Sequence, residues 1–335
     1  MGVSPPSSSA ALGDKNSPLQ LEKAIDVEYI LRRISGGLKR PAAEGAVMER
    51  YGGKEVRELL ASGGFRLSKS MGQNFLIDPN IPGRIVRESS IDSTCGVLET
   101  GPGLGVLTRE LCRVAGRVTA VELDARFIPL LRETLREECN IEIVKGDILK
   151  LDLVKLVTSS MPGLKYHACA NLPYSITTPA ITAFINADVF DTITVTIQRE
   201  VAGRICAKPG TPEYGAFTVF TRYHMEANTL FDIPPECFIP RPRVYSSVVK
   251  MKKRAERPLL PEDEAFFFRV VRAAFGQRRK TLVNALYAAF GNTHDKEKIA
   301  EIVSGCGFDV RIRGETLGVE EFIVLSTHLK SKTNR

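Results

Sequence analysis

The run Gly96-Val97-Leu98-Glu99-Thr100-Gly101-Pro102-Gly103-Leu104-Gly105 constrains the fold of this chain more than any other segment. A short apolar stretch ending in closely spaced glycines reads as a buried strand followed by a sharp turn, because glycine tolerates backbone angles that other residues avoid. Behind it, Leu104, Leu107, Leu111 and Val114 share one helical face. The alternation then repeats, with strands predicted over 118–121, 141–144, 166–170 and 193–197 and a helix over 127–135. Strands alternating with helices build a parallel sheet covered on both faces. The predicted fold class is therefore α/β and Rossmann-like, with a doubly wound, mainly parallel sheet.

Near residue 250 this alternation stops. Only helical patterns follow, over 265–275, 280–290, 296–303 and 319–329, and they predict a smaller C-terminal helical domain. The stretch Lys250-Met251-Lys252-Lys253-Arg254 is read as the joint between the two. The chain opens differently, on the low-complexity Ser4-Pro5-Pro6-Ser7-Ser8-Ser9, which has too little apolar surface to pack. Asp14, Glu22, Asp26 and Glu28 argue against a transit peptide, which is poor in acids. Residues 1–50 are expected to be a disordered extension or to precede the true start of translation, for which Met48 is the candidate. Residues 51–253 are assigned to the α/β domain and 254–335 to the helical one.

With 335 residues the chain is long enough for two such domains. A formal charge of +7 favours encounter with a polyanion, which bears on partners and not on fold. The seven cysteines are odd in number and contain no CxxC pair, so neither a disulfide framework nor a metal site is expected. Reduced thiols and the absence of a signal peptide or an apolar run of membrane-spanning length predict a cytoplasmic protein with no membrane partner.

Four strand ends carry the chemistry. In the first, Gly101 and Gly103 let backbone approach a ligand closely. A dinucleotide fingerprint would need its third glycine at 106, which is Val106, and Pro102 removes an amide donor from the turn. In the second, Glu122 stands 21 positions after Gly101, where an acid accepts hydrogen bonds from both hydroxyls of a ribose. The alternative is a solvated acid, and Asp124 is read as a cap for the next helix. In the third, Asp147 either accepts the amine of an adenine, with Ile148 against the ring, or caps a helix. Together the three describe an adenosine site without a phosphate cradle, which suits S-adenosylmethionine better than a dinucleotide.

The fourth strand end is Asn171-Leu172-Pro173-Tyr174. The N6 amine of adenine is a poor nucleophile because its lone pair is delocalised into the ring. Acceptors for its two N–H groups, here the Asn171 side-chain oxygen and the Leu172 carbonyl, draw the nitrogen towards a tetrahedral geometry. Pro173 makes the turn rigid, and Tyr174 offers a face on which an extruded base stacks. The other possibility is an ordinary strand-end turn.

These motifs, in this order, resemble the KsgA (RsmA) family of ribosomal RNA adenine dimethyltransferases over about Phe65 to Leu329. The resemblance extends to Lys69-Ser70-Met71-Gly72-Gln73-Asn74-Phe75-Leu76, to Phe238-Ile239-Pro240-Arg241-Pro242-Arg243-Val244-Tyr245-Ser246-Ser247 and to the run from Ala274 to Leu286. It implies S-adenosylmethionine as methyl donor, with Asn74, Leu76, Gly101, Gly103, Glu122, Asp147 and Asn171 at the cofactor. It also implies a lid over the methionine end and Phe238 as a second aromatic wall facing Tyr174. The implied substrate is a pair of adjacent adenosines in the 3′-terminal hairpin loop of 16S rRNA, within a small-subunit assembly intermediate. Each is dimethylated, and the enzyme acts as a monomer without metal. Arg278, Arg279 and Lys280, at a predicted helix start, are expected to meet RNA phosphates unless they are merely a solvated face.

Four other readings share parts of this pattern. A nicotinamide-dependent oxidoreductase is opposed by Val106 and by the Asn-Leu-Pro-Tyr turn. A non-catalytic ribosome-assembly or RNA-binding factor would carry degenerate cofactor loops. Among adenine methylases, a DNA enzyme usually has Pro-Pro-Tyr in the catalytic turn. The macrolide-resistance type acting on large-subunit rRNA differs in the helical domain, where Ala274 to Leu282 resembles the KsgA type.

Overall fold

The computed structural model describes residues 74–333 other than 257, 258 and 260. The expected extension over 1–50 and Lys69 to Gln73 of the expected lid lie outside the described residues. The chain enters through β1 (Phe75–Leu76) and helix α1 (Asn80–Glu88). Strands and helices then alternate: β2 (Cys95–Thr100), α2 (Val106–Cys112), β3 (Arg117–Glu122), α3 (Phe127–Thr134), β4 (Ile141–Lys145), α4 (Leu153–Ser160), β5 (Lys165–Asn171), α5 (Thr177–Ala187) and β6 (Thr192–Gln198). All five predicted strands are present. Central β2 is covered on both faces and every one of its residues is buried, whereas β4, at the sheet edge, has none fully buried.

The seven-stranded sheet has the order β4-β3-β2-β5-β6-β9-β7. From β2 the chain steps outward to β3 and β4, then returns to the other side of β2 for β5 and β6, all in parallel register. The order therefore reverses between β2 and β5. In open α/β sheets a crevice forms outside the carboxyl ends of the strands at such a reversal.

Sequence patterning did not reveal the next segment: α6 (Arg199–Cys206), α7 (Ala216–His224), β7 (Met225–Ile233), β8 (Phe238–Ile239) and β9 (Ser246–Lys253). Strand β9 is antiparallel to both β6 and β7. β7 escaped notice because it is an edge strand with polar interruptions and an irregularity between Thr229 and Phe231. The expected joint at Lys250 to Arg254 is corrected as well. Lys250 to Lys253 belong to β9, and its lysines are tolerated because exposed or partly covered positions alternate with buried Val249 and Met251. β8 pairs with β1 as a separate two-stranded ribbon, Phe75 opposite Ile239 and Leu76 opposite Phe238.

Four helices follow: α8 (Pro261–Gly276), α9 (Leu282–Phe290), α10 (Lys296–Gly305) and α11 (Val319–Thr333). Helix α9 starts two residues later than expected because Thr281 is its N-cap, its hydroxyl accepting from the Asn284 N–H. Their core joins Phe267, Val270, Leu286 and Phe322 to Tyr214, Val219 and Tyr223, so packing crosses the expected boundary at 253/254. Leu104, Leu107 and Leu111 are buried as expected, but Val114 is 38% exposed, since α2 ends at Cys112.

Candidate active site

The crevice at the reversal point holds a cavity of about 210 Å³. The ends of β2, β3, β4 and β5 all contribute to it, and so does β1 with the preceding Asn74. Of the residues singled out from the sequence, Asn74, Leu76, Gly101, Gly103, Glu122, Asp147, Asn171, Leu172 and Pro173 line it. Tyr174, Phe238, Arg278, Arg279 and Lys280 do not.

The glycine loop is held by a hydrogen bond from the Gly101 N–H to the Val121 carbonyl at 2.9 Å. Gly101 and Gly103 have φ of +65° and +57°, which side chains disfavour. A Cβ on Gly103 would also stand 2.8 Å from the Phe75 ring, so the loop is tight as well as left-handed.

Glu122 is buried, and each of its oxygens already accepts one backbone N–H, from Gly103 at 3.3 Å and from Asp124 at 2.8 Å. Those bonds orient the carboxylate and leave a further acceptor site on each oxygen. Burial raises its pKa; the Asp124 and Gly103 N–H groups act the other way. Asp124 does not cap α3 directly. It accepts from the Arg126 N–H and pairs with the Arg126 guanidinium at 2.6 Å, fixing the turn before the helix. Asp147 accepts from the Leu149 N–H at 3.1 Å, and Ile148 beside it is buried at the cavity wall.

Leu123 and Glu99 also line the cavity, although neither was assigned a role from the sequence. Leu123 is 60% exposed, an apolar surface left open beside Glu122. Glu99 is buried on β2, its Oε2 having no hydrogen-bond partner among the described residues; the same holds for the Thr100 hydroxyl. Burial, reinforced by the nearby Glu122 carboxylate, pushes the Glu99 pKa up to about 8. An acid inside the apolar strand Val97-Leu98-Glu99 was the available signal.

At the end of β5 the Asn171 amide nitrogen donates to the Asn74 carbonyl at 2.8 Å, which assigns the side-chain oxygen as the free acceptor. The Leu172 N–H is tied to the Thr196 carbonyl at 3.1 Å, and the Pro173 carbonyl accepts from the Ile176 N–H at 3.1 Å. The half-buried Tyr174 is held by its hydroxyl, 2.7 Å from the Ser246 hydroxyl at the start of β9, and burial raises its pKa.

Phe238 differs from the expected second wall. It is only 2% exposed and packs with Leu76, Val97, Cys169 and Val248, because its place in β8 opposite Leu76 directs it into the core. Arg278 differs too. It pairs with Glu315 at 2.9 Å and donates to the carbonyls of Tyr214 (3.2 Å) and Pro212, fastening the 212–214 loop to the end of α8. Arg279 and Lys280 are exposed. Among the described residues no group of His, Cys, Asp and Glu is arranged to hold a metal, and no helix is long and apolar enough to cross a membrane.

A family profile described as ribosomal RNA adenine dimethylase matches residues 64–307. The Ribosomal RNA small subunit methyltransferase A of Geobacillus sp. (strain WCH70) is 43% identical over 278 residues, covering 82% of this chain and 96% of the relative. That of Shouchella clausii (strain KSM-K16) is 44% identical, covering 82% and 93%. Among solved structures, a dimethyladenosine transferase from Plasmodium falciparum shares the fold with a TM-score of 0.67 and 23% identity, covering 77% of this chain and 98% of that one. The 23S rRNA methyltransferase ErmE superimposes with a TM-score of 0.61 at 26% identity, covering 76% and 99%.

Proposed function

The chain belongs to the ribosomal RNA adenine dimethylase family, and we infer from this and from the site that it dimethylates N6 of adenine in small-subunit rRNA. It is an S-adenosylmethionine-dependent methyltransferase. The observation that carries the reading is the Asn171 amide, locked by Asn74 so that its oxygen remains an acceptor at the cavity wall.

S-adenosylmethionine, when bound, supplies a sulfonium methyl open to attack by a nitrogen nucleophile. The lining fits this group. Glu122 would accept the ribose hydroxyls, and Asp147 would accept the adenine amine, with Ile148 and Leu123 as apolar surfaces for the ring. Asn74 and Leu76 would border the methionine end. Across the cavity, the Asn171 oxygen and the Leu172 carbonyl accept the two N–H groups of the target amine and concentrate its lone pair on nitrogen. Pro173 holds that pair of acceptors still, so catalysis is mainly positioning and charge complementarity. No general base is required, because the proton leaves once the nitrogen is cationic.

Tyr174, restrained through Ser246, is the stacking face for the extruded base. Phe238 serves as the second wall only if β8 moves to uncover it, and otherwise supports the pocket from the core. The substrate within the particle is the pair of adjacent adenosines in the 3′-terminal hairpin loop of 16S rRNA, where bases are already partly unstacked. We further assign the enzyme to the cytoplasm, acting as a monomer on an assembly intermediate.

A large-subunit methylase is the second reading, favoured by the superposition on ErmE. The higher identity to small-subunit relatives, 43–44% against 26%, weighs against it. Incubation with unmethylated small-subunit particles and S-adenosylmethionine should yield dimethyladenosine in the 3′ hairpin by mass spectrometry. Modification of large-subunit rRNA alone would overturn the assignment.

A further inference from the structure

Beside the pocket the chain leaves an aromatic ring uncovered. Val244 and Tyr245 are 44% and 47% exposed, in the turn between β8 and β9. Single exposed apolar residues need no explanation, but this pair has a defined place. Ser246, the next residue, bonds to the Tyr174 hydroxyl at 2.7 Å and lies opposite Gln198, the last residue of β6. Parallel β6 ends at the same sheet edge as β5, so Tyr245 stands on the edge that carries Asn171.

The surroundings of the ring are cationic. The Arg199 N–H donates to the Tyr245 carbonyl at 2.9 Å, and its guanidinium carbon lies 5.9 Å from the ring centroid. Arg199 also faces Asp232 at 3.5 Å, with most of its side chain still exposed. Arg241 is paired with Glu236, whereas the exposed Arg243 forms no ion pair among the described residues. A half-exposed aromatic ring beside one guanidinium, with a second exposed arginine two residues away in the chain, is chemistry that binds unpaired bases: the ring stacks on any base, and cations meet phosphates.

We propose that Tyr245 is a stacking platform for an unpaired base next to the target adenine, with Arg199 and Arg243 holding the adjoining phosphates. This rests on the RNA-adenine reading above. A protein partner would not need the cations beside the ring. A substrate held at a second base keeps the neighbouring nucleotide from collapsing back onto the one being methylated, and it favours single-stranded loops over duplex.

The test is steady-state methylation of unmethylated small-subunit particles by the full chain and its Tyr245→Ala and Tyr245→Phe variants. Tyr245→Ala should raise KM for the particle about tenfold or more, with kcat within about twofold and cofactor affinity unchanged. Tyr245→Phe, which keeps the ring, should restore the wild-type KM. Arg243→Gln should raise KM less and flatten its salt dependence. An unaltered KM in Tyr245→Ala would overturn the platform, as would equal defects in both Tyr245 variants. So would a joint loss of kcat and cofactor affinity, which would mark disturbance of Ser246 and Tyr174. Failure of the wild-type chain to form dimethyladenosine, with cofactor still bound, would instead overturn the underlying reading.

Discussion

The side-chain amide of Asn171 donates to the backbone carbonyl of Asn74 across 97 positions of sequence, at 2.8 Å. This bond joins the entry strand to the end of β5 and selects which face of the amide meets a substrate. An amine-accepting site needs oxygen forward, and the Asn74 carbonyl accepts only the nitrogen.

Replacing Asn171 with Ala should therefore lower kcat about a hundredfold or more while leaving particle affinity within a few-fold. Single-turnover methylation beside a filter-binding titration measures both. A variant with near-normal turnover would remove Asn171 from the reaction.

In the proposed function Glu122 serves the cofactor and not the RNA. Glu122→Gln turns an N–H₂ group towards the Gly103 or Asp124 N–H, so it should weaken S-adenosylmethionine binding about tenfold or more by calorimetric titration. Unchanged affinity would place the ribose elsewhere.

Glu99 makes stability depend on pH. Its carboxyl ionises near 4.5 in the unfolded chain and only near 8 when folded, so the folded state holds the extra proton between these values. Stability must then fall as pH rises through that window and level off above it. Between about pH 6 and about pH 8 the loss is about 2 kcal/mol, and Glu99→Gln should abolish most of it. Urea titrations at the two pH values decide this. A wild-type slope no steeper than that of the variant would contradict a buried, proton-holding Glu99.

The basic run Arg278-Arg279-Lys280 divides into two functions. Arg278→Ala should destabilise the helical lobe by about 1 kcal/mol, because its partly exposed pair with Glu315 is worth little and its bonds to two carbonyls more. Arg279→Ala with Lys280→Ala should leave the melting temperature unchanged but weaken RNA binding and reduce its salt slope by about 1 to 2. Melting curves and salt-dependent binding separate the two; an unchanged salt slope would take this loop out of the RNA site.

Much of the fold was legible because central strands such as β2 and β6 carry short runs of apolar and β-branched residues, buried along nearly their whole length. β7 and β9 were not, since β7 is an edge strand with polar interruptions and the serines and lysines of β9 mask a strand whose first half is buried. The cavity lining was legible for a related reason. Gly101, Gly103, Glu122, Asp147 and Asn171 each sit at a strand end, so a local pattern places them on one sheet edge once the strands are parallel.

By itself the sequence determined the alternation of strands and helices that implies a doubly wound sheet, the glycine and acid residues at its strand ends and the Asn-Leu-Pro-Tyr turn, because each is a local pattern. Tertiary structure alone decided what depends on distant partners. It turned Phe238 into the core through pairing with β1, committed Arg278 to Glu315 and the 212–214 loop, and left the Glu99 Oε2 without a partner among the described residues. It also brought Ser246 to Tyr174, 72 positions apart, and so put Tyr245 at the edge of the site. The identity of a side chain states what it can bind, but its free partners are known only after the rest of the chain has taken the others.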